Sequence, residues 1–135
     1  MSVKKLQIIL LIIACSCSSS SNEKANLRPA EWHGKWVAEW ETPPESYPGI
    51  EDMEFYMDGS FVFTPDSLTV TANGYPDCIF NVDTLSHTQS WYVSSDTLFL
   101  VNDPESPGMT YRISTMSNNR ITLQLMEDIF VTLTK

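Results

Sequence analysis

Residues 121–133 have the sequence ITLQLMEDIFVTL, in which apolar and polar side chains alternate on either side of an acidic turn. Alternation with a period of two brings every second side chain to the same face of a β-strand. A three-residue loop, Met126-Glu127-Asp128, places the apolar residues of the two halves opposite each other. The predicted pairs are Leu125 with Ile129, Leu123 with Val131, and Ile121 with Leu133. This stretch therefore predicts an antiparallel hairpin with one buried face.

The same alternation continues upstream to Trp32, interrupted by turn residues at intervals of roughly 8–12 residues. Trp36, Ala38 and Trp40, for example, share one face of the first strand. The pattern predicts an all-β domain in which about eight to ten short strands form an antiparallel meander. A meander hides its edge strands by closing into a barrel, and a barrel is the fold we expect, with a two-sheet β-sandwich as the alternative.

A second hairpin with a three-residue loop is predicted at Met57-Asp58-Gly59. Such a loop needs a left-handed residue at its third position, and Gly59 supplies one. The loop pairs Phe55 with Phe61 and Met53 with Phe63. In the same register, Met53 and Phe55 face the first strand.

That register also brings acidic side chains together on the outer face of the first two strands. The predicted neighbours are Glu39 with Glu54 and Glu41 with Asp52. Like charges directly opposite each other cost roughly 0.2–1 kcal/mol per pair. We interpret the acidic face as a solvated surface, with a calcium site or a dock for a basic partner as the alternatives.

The N-terminus has the organisation of a secretory signal. Lys4 and Lys5 precede residues 6–14, LQIILLIIA, which carry no charge. This run is too short to span a bilayer, which takes ~20 apolar residues. The end of this run and the cysteine that follows it, Ile12-Ile13-Ala14-Cys15, resemble the lipobox of bacterial lipoproteins. The resemblance implies cleavage before Cys15, acylation of Cys15 and attachment to the membrane through its acyl chains, with Cys17 as the competing acceptor.

These features divide the chain into three segments. Residues 1–14 are the predicted lipoprotein signal peptide, residues 15–31 the lipidated cysteine and a flexible serine-rich tether, and residues 32–135 the folded domain. By the same resemblance to bacterial lipoproteins, Ser16 directly after the acceptor implies sorting to the outer membrane. No acidic run follows Cys15, which favours the periplasmic face over the cell surface.

The tripeptide Gly34-Lys35-Trp36, at the start of the first strand, resembles the G-x-W motif of lipocalins. Together with the meander, it is similar to the small lipocalin-like domains of bacterial lipoproteins. The resemblance implies a barrel that binds a small apolar or amphiphilic ligand. The candidate ligand-binding residues are the large inward-facing side chains Trp36, Trp40, Phe55, Phe63, Phe80, Trp91 and Tyr111. The alternative is a barrel filled by these side chains, which docks a protein partner in the cell envelope.

Composition and motifs argue against several other functions. The chain has 17 acidic and 8 basic residues and a net charge of -9, which disfavours nucleic-acid binding. It lacks a nucleophile elbow, a zinc-protease helix motif and a phosphate loop, so we predict no enzyme, no metal and no cofactor. His33 and His87 are predicted to be solvated, and Cys78 to be a small buried apolar residue.

Overall fold

The computed structural model describes residues 26–41, 57–74, 84–103 and 105–135. A 3₁₀ turn, Ala30–Trp32, leads into eight antiparallel strands that close into one barrel. The strands are β1 (Gly34–Glu41), β2 (Met57–Phe63), β3 (Leu68–Asn73), β4 (Thr84–Ser94), β5 (Thr97–Val101), β6 (Pro107–Met116), β7 (Arg120–Met126) and β8 (Ile129–Thr134). The predicted all-β barrel is confirmed, and the sandwich alternative is wrong.

Closure joins the first strand to the last. Ala38 pairs with Leu133 and Trp40 with Val131, so β1 has partners on both sides. Every strand of the barrel also pairs with its neighbours in sequence, which gives the predicted meander. None of the eight described strands is left as an open edge for pairing with another chain.

The two ends of the barrel differ, and we call them the closed end and the open end. The closed end carries the 3₁₀ turn Ala30–Trp32 and the turns at 64–67, 95–96 and 117–119. At the open end, β1, β3, β5 and β7 finish and the strands that follow them begin. No helix among the described residues is long and apolar enough to cross a membrane.

The terminal hairpin follows the prediction except at its loop. Ile121 pairs with Leu133 and Leu123 with Val131, as expected from the alternation. The loop, however, has two residues, because Met126 pairs with Ile129 and the register shifts between Gln124 and Met126. A β-bulge at Leu125 accommodates the difference, so the predicted pair of Leu125 with Ile129 is wrong, while the pairs before the bulge keep the predicted register.

The predicted hairpin at 57–59 is wrong, because Asp58 and Gly59 lie inside β2. Phe61 pairs with Trp36 on one side and with Val70 on the other, so neither edge is left for Phe55. Gly59 serves a close approach between strands instead of a turn. A Cβ at this position would lie 1.8 Å from the carbonyl oxygen of Thr71.

The acidic neighbours on the outer face change with the register. Glu39 pairs directly with Asp58, and Trp40 pairs with Met57, not with Met53. The like-charge contact therefore exists with a different partner from the one predicted. Residues 51–56, which include the expected partners Asp52 and Glu54, lie outside the described residues.

The closed half of the barrel is tightly filled. Trp32 covers the core at the closed end and is 1% exposed. Its ring centroid lies 5.3 Å from that of Phe63 and 6.1 Å from that of Trp91. The indole N–H groups of Trp36 and Trp91 donate to the carbonyl oxygens of Trp32 and Thr64 at 2.8 and 2.9 Å. Each of these two buried indole donors therefore has a hydrogen-bond acceptor inside the apolar core.

The end of the predicted tether packs against the barrel. Leu27 forms an antiparallel bridge with Val93, with N–H to O distances of 2.8 and 2.7 Å. The Arg28 guanidinium donates to the carbonyl oxygen of Trp91 at 2.7 Å and to that of Pro65 at 3.1 Å. Residues 27–31 thus belong to the folded body, although their polar sequence is typical of a linker.

Candidate functional site

A cavity of about 570 Å³ opens at the open end of the barrel. Its walls come from seven of the eight strands and from the residue after β5. The lining residues are Trp40, Met57, Val70, Ala72, Leu85, His87, Gln89, Leu100, Asn102, Gly108, Met109, Tyr111 and Leu125. Most of these side chains are apolar, and none carries a permanent charge.

The floor of the cavity is aromatic. Phe61 is fully buried, and its ring centroid lies 5.9 Å from that of Trp40 and 5.9 Å from that of Tyr111. The Tyr111 hydroxyl donates to the sulfur of Met109 at 3.6 Å. Phe61 therefore packs against the two aromatic side chains that border the cavity.

Polar side chains form one strip of the wall, which we call the polar strip: His87 and Gln89 on β4 and Asn102 just after β5. The Gln89 amide N–H donates to the Asn102 side-chain oxygen. Trp40 lies on β1, four strands from β5 in a ring of eight, and so on the opposite side. The cavity thus has one hydrogen-bonding side and one apolar side.

The structure divides the seven predicted ligand-binding residues into three groups. Trp40 and Tyr111 line the cavity. Trp36, Phe63 and Trp91 are at most 2% exposed and fill the closed half, so the expectation that they line the cavity is corrected. Trp36 borders a recess of about 140 Å³ at the closed end. Phe55, Phe80 and the predicted lipidation site Cys15 lie outside the described residues.

The prediction of a solvated side chain is confirmed for His87, which is exposed, and corrected for His33. His87 lies on β4 and lines the cavity mouth, because it shares the face of Trp91. His33 is half-buried, with its ring 6.2 Å from that of Trp91 and its Nε2 without a protein partner. Counting back from Trp91 in steps of two would have identified the inward positions 89, 87 and 85.

The chemistry available in the cavity is limited. Among the described residues of its lining, His87 and Tyr111 are titratable. Within the described ranges, no group of three or more His, Cys, Asp and Glu is arranged to hold a metal ion. The arrangement can therefore bind a molecule by apolar contact and hydrogen bonding.

Comparisons with known proteins give structural neighbours only. No family model and no curated protein sequence matches the chain. A lipocalin-like protein from Bacteroides uniformis ATCC 8492 has a similar structure, with 13% identity and a TM-score of 0.49 over 78% of this chain and 98% of that chain. An uncharacterized protein from Bacteroides eggerthii DSM 20697 is similar to the same degree, with 13% identity and a TM-score of 0.49 over 77% and 98%. The assignment of the barrel rests on the strand order of this chain itself.

Proposed function

We propose that this protein is a lipid-anchored, non-enzymatic binding domain that holds a small amphiphilic molecule in the cavity at the open end. The observation that carries the proposal is the size of that cavity. Its volume of about 570 Å³ falls within the range of roughly 300–1,000 Å³ typical of small-molecule sites. An eight-stranded barrel can be filled by its own side chains, as the closed half is. The barrel fold alone therefore does not account for the cavity, which depends on the side chains that this sequence places at the open end.

The two-sided lining supports an amphiphile over a purely apolar molecule. An alkyl chain or ring can lie against Trp40, Met57 and Leu125, where burial contributes about 25 cal/mol per Å² of apolar surface. A polar head group at the other wall can exchange hydrogen bonds with the polar strip. A molecule without a polar group would displace water from the polar strip without replacing the hydrogen bonds that this water makes.

The anchor is supported by the sequence of the first 15 residues. The basic start, the short apolar run and the cysteine at its end together favour acylation of Cys15. We expect Cys15→Ala to release the protein from the membrane fraction and to abolish labelling by a fatty-acid analogue. Cys17→Ala should leave both unchanged. The reverse pattern would show that Cys17 is the acceptor.

Tryptophan fluorescence tests the binding site directly. Trp32, Trp36 and Trp91 are at most 1% exposed and away from the cavity, whereas Trp40 lines it. We expect dodecanol or dodecanoate to change the emission of the non-acylated Cys15→Ala protein. In Trp40→Phe, the binding heat measured by calorimetry should persist while the emission change disappears. Absence of both signals with every amphiphile tested would refute the proposal.

A cavity-filling variant with a matched control locates the ligand. Leu85 points into the cavity, and the adjacent Ser86 points outward towards Thr71, with their hydroxyls 3.2 Å apart. Leu85→Trp should weaken binding by about tenfold or more, or ~1.4 kcal/mol, because the indole occupies space needed by the ligand. Ser86→Trp should bind normally. Equal affinities in the two variants would place the ligand elsewhere on the protein.

A further inference from the structure

We propose that the closed end of the barrel rests on anionic lipid head groups and that the mouth of the cavity points away from the membrane. This inference rests on the proposed anchor at Cys15. It concerns a surface that the ligand cavity does not use. Three features of the described residues carry it: the point where the anchored chain joins the barrel, the distribution of charge between the two ends, and the basic surroundings of the exposed apolar side chains at the closed end.

The chain from Cys15 reaches the folded body at the closed end. Leu27 is fixed there by its bridge to Val93, and Arg28 by hydrogen bonds to the carbonyl oxygens of Trp91 and Pro65. Arg28 also donates to the Ser90 hydroxyl at 2.9 Å. Only eleven residues separate Cys15 from Leu27, a distance of at most ~40 Å when fully extended. The anchored chain therefore joins the barrel at its closed end.

The open end carries only negative charge among the described residues. Its acidic side chains are Glu39, Glu41, Asp58, Asp103, Glu105, Glu127 and Asp128. No described lysine or arginine lies at this end. An anionic membrane surface would repel these seven carboxylates.

The closed end has the opposite sign. Its cations are Arg28, Lys35, Arg120 and Lys135, against the carboxylates of Glu31 and Asp66. One further carboxylate, on Asp96, lies 3.8 Å from the Arg112 guanidinium and is balanced by it. Among the described residues, four cations less two carboxylates leave a charge of +2 at this end, whereas the open end has -7. A lysine or arginine near an anionic surface contributes about 1 kcal/mol, an effect confined to ~8–10 Å at physiological salt.

Exposed apolar side chains lie beside these cations. Leu27 is 56% exposed and Met116 is 58% exposed at the closed end, and Met109 and Met126 are 54% and 62% exposed at the open end. The exposed apolar side chains of the two ends therefore differ in the charge that surrounds them and not in their exposure. Apolar side chains next to basic ones are the combination by which proteins bind the interface of anionic membranes. The net charge of the whole protein is repelled by such a surface, so the orientation depends on the separation of charge between the two ends.

Two matched methionines allow the orientation to be measured. Met116 at the closed end and Met126 at the open end are 58% and 62% exposed. The acylated full chain, with Cys17→Ser and Cys78→Ala, is given one labelling site, Met116→Cys or Met126→Cys. Each fluorophore-labelled protein is placed in vesicles of phosphatidylethanolamine and phosphatidylglycerol that carry an energy acceptor on their head groups. We expect strong energy transfer from position 116 and several-fold weaker transfer from position 126.

Equal transfer from the two positions, or stronger transfer from 126, would overturn the orientation while leaving the anchor intact. Protein that fails to float with the vesicles would refute the anchor, and the orientation with it. Charge is tested separately by Lys35→Glu combined with Arg120→Glu, which should reduce transfer from position 116. The matched double variant Glu105→Lys with Glu127→Lys should raise transfer from position 126. No change in either double variant would overturn the role assigned to anionic lipid.

Discussion

Truncation of Trp32 should be among the most destabilising single changes in this barrel. A buried tryptophan replaced by alanine costs roughly 3–5 kcal/mol, and the contacts of this ring with Phe63 and Trp91 belong to that loss. Two features moderate it. The Trp36 indole donates to the backbone oxygen of Trp32, which the substitution retains, and the adjacent recess of about 140 Å³ lets water enter the vacated site. We therefore expect a loss of ~3–4 kcal/mol for Trp32→Ala.

Urea unfolding followed by far-ultraviolet circular dichroism measures this loss without relying on tryptophan emission. With a slope of ~2 kcal/mol per molar urea, the midpoint should fall by about 2 M. Met116→Ala is the control, because Met116 borders the same recess but is 58% exposed. It should cost ~0.5 kcal/mol or less. A loss below ~1 kcal/mol in Trp32→Ala would refute the conclusion that this residue caps the core.

Three further substitutions test other parts of the barrel in the same unfolding assay. Gly59→Ala should lower the free energy of unfolding by about 3 kcal/mol, because its Cβ would overlap the carbonyl of Thr71. A variant as stable as the original protein would contradict the close approach of β2 and β3. Asp58→Asn should raise the free energy of unfolding by ~0.2–1 kcal/mol, because it removes the repulsion between Asp58 and Glu39, and this gain should shrink at high salt. A destabilised variant would argue against that repulsion. Arg28→Lys should lower the free energy of unfolding by ~1–2 kcal/mol, because a lysine ammonium cannot reach both carbonyl oxygens to which the guanidinium donates. Unchanged stability would show that these hydrogen bonds do not stabilise the protein.

The core faces of the strands were predictable from alternation because a buried face tolerates no slip of one residue. Trp36 with Ala38, and Ile121 with Leu123, are buried as the pattern predicts. The register between β1 and β2 was not predictable. Asp58-Gly59 has the composition of a hairpin loop, and the approach of β3 that requires this glycine is a tertiary contact without a local signal.

The candidate site was predictable only in part, for a related reason. Alternation identifies which side chains point inward, but not the height of each one along the barrel axis. Trp91 and His87 share a face of β4, yet the first is fully buried and the second lies at the mouth. The position of an inward-facing side chain along the barrel axis depends on the tilt of its strand and on which end of the barrel is closed. The Trp32 cap was itself invisible in the sequence, since a single tryptophan after a polar segment carries no periodic pattern.

The pairing of β1 with β8 has a consequence for how the protein is made. Ala38 and Leu133 are neighbours in the sheet, so the two strands that complete it are separated by most of the domain. Contacts between such distant positions form slowly, because a long loop must be closed before they contribute free energy. Until β8 has been synthesised and has docked, the edge of β1 is available to other extended chains. We therefore expect products truncated before β8 to aggregate, and a chaperone that covers β1 to be most useful while the chain is still being delivered.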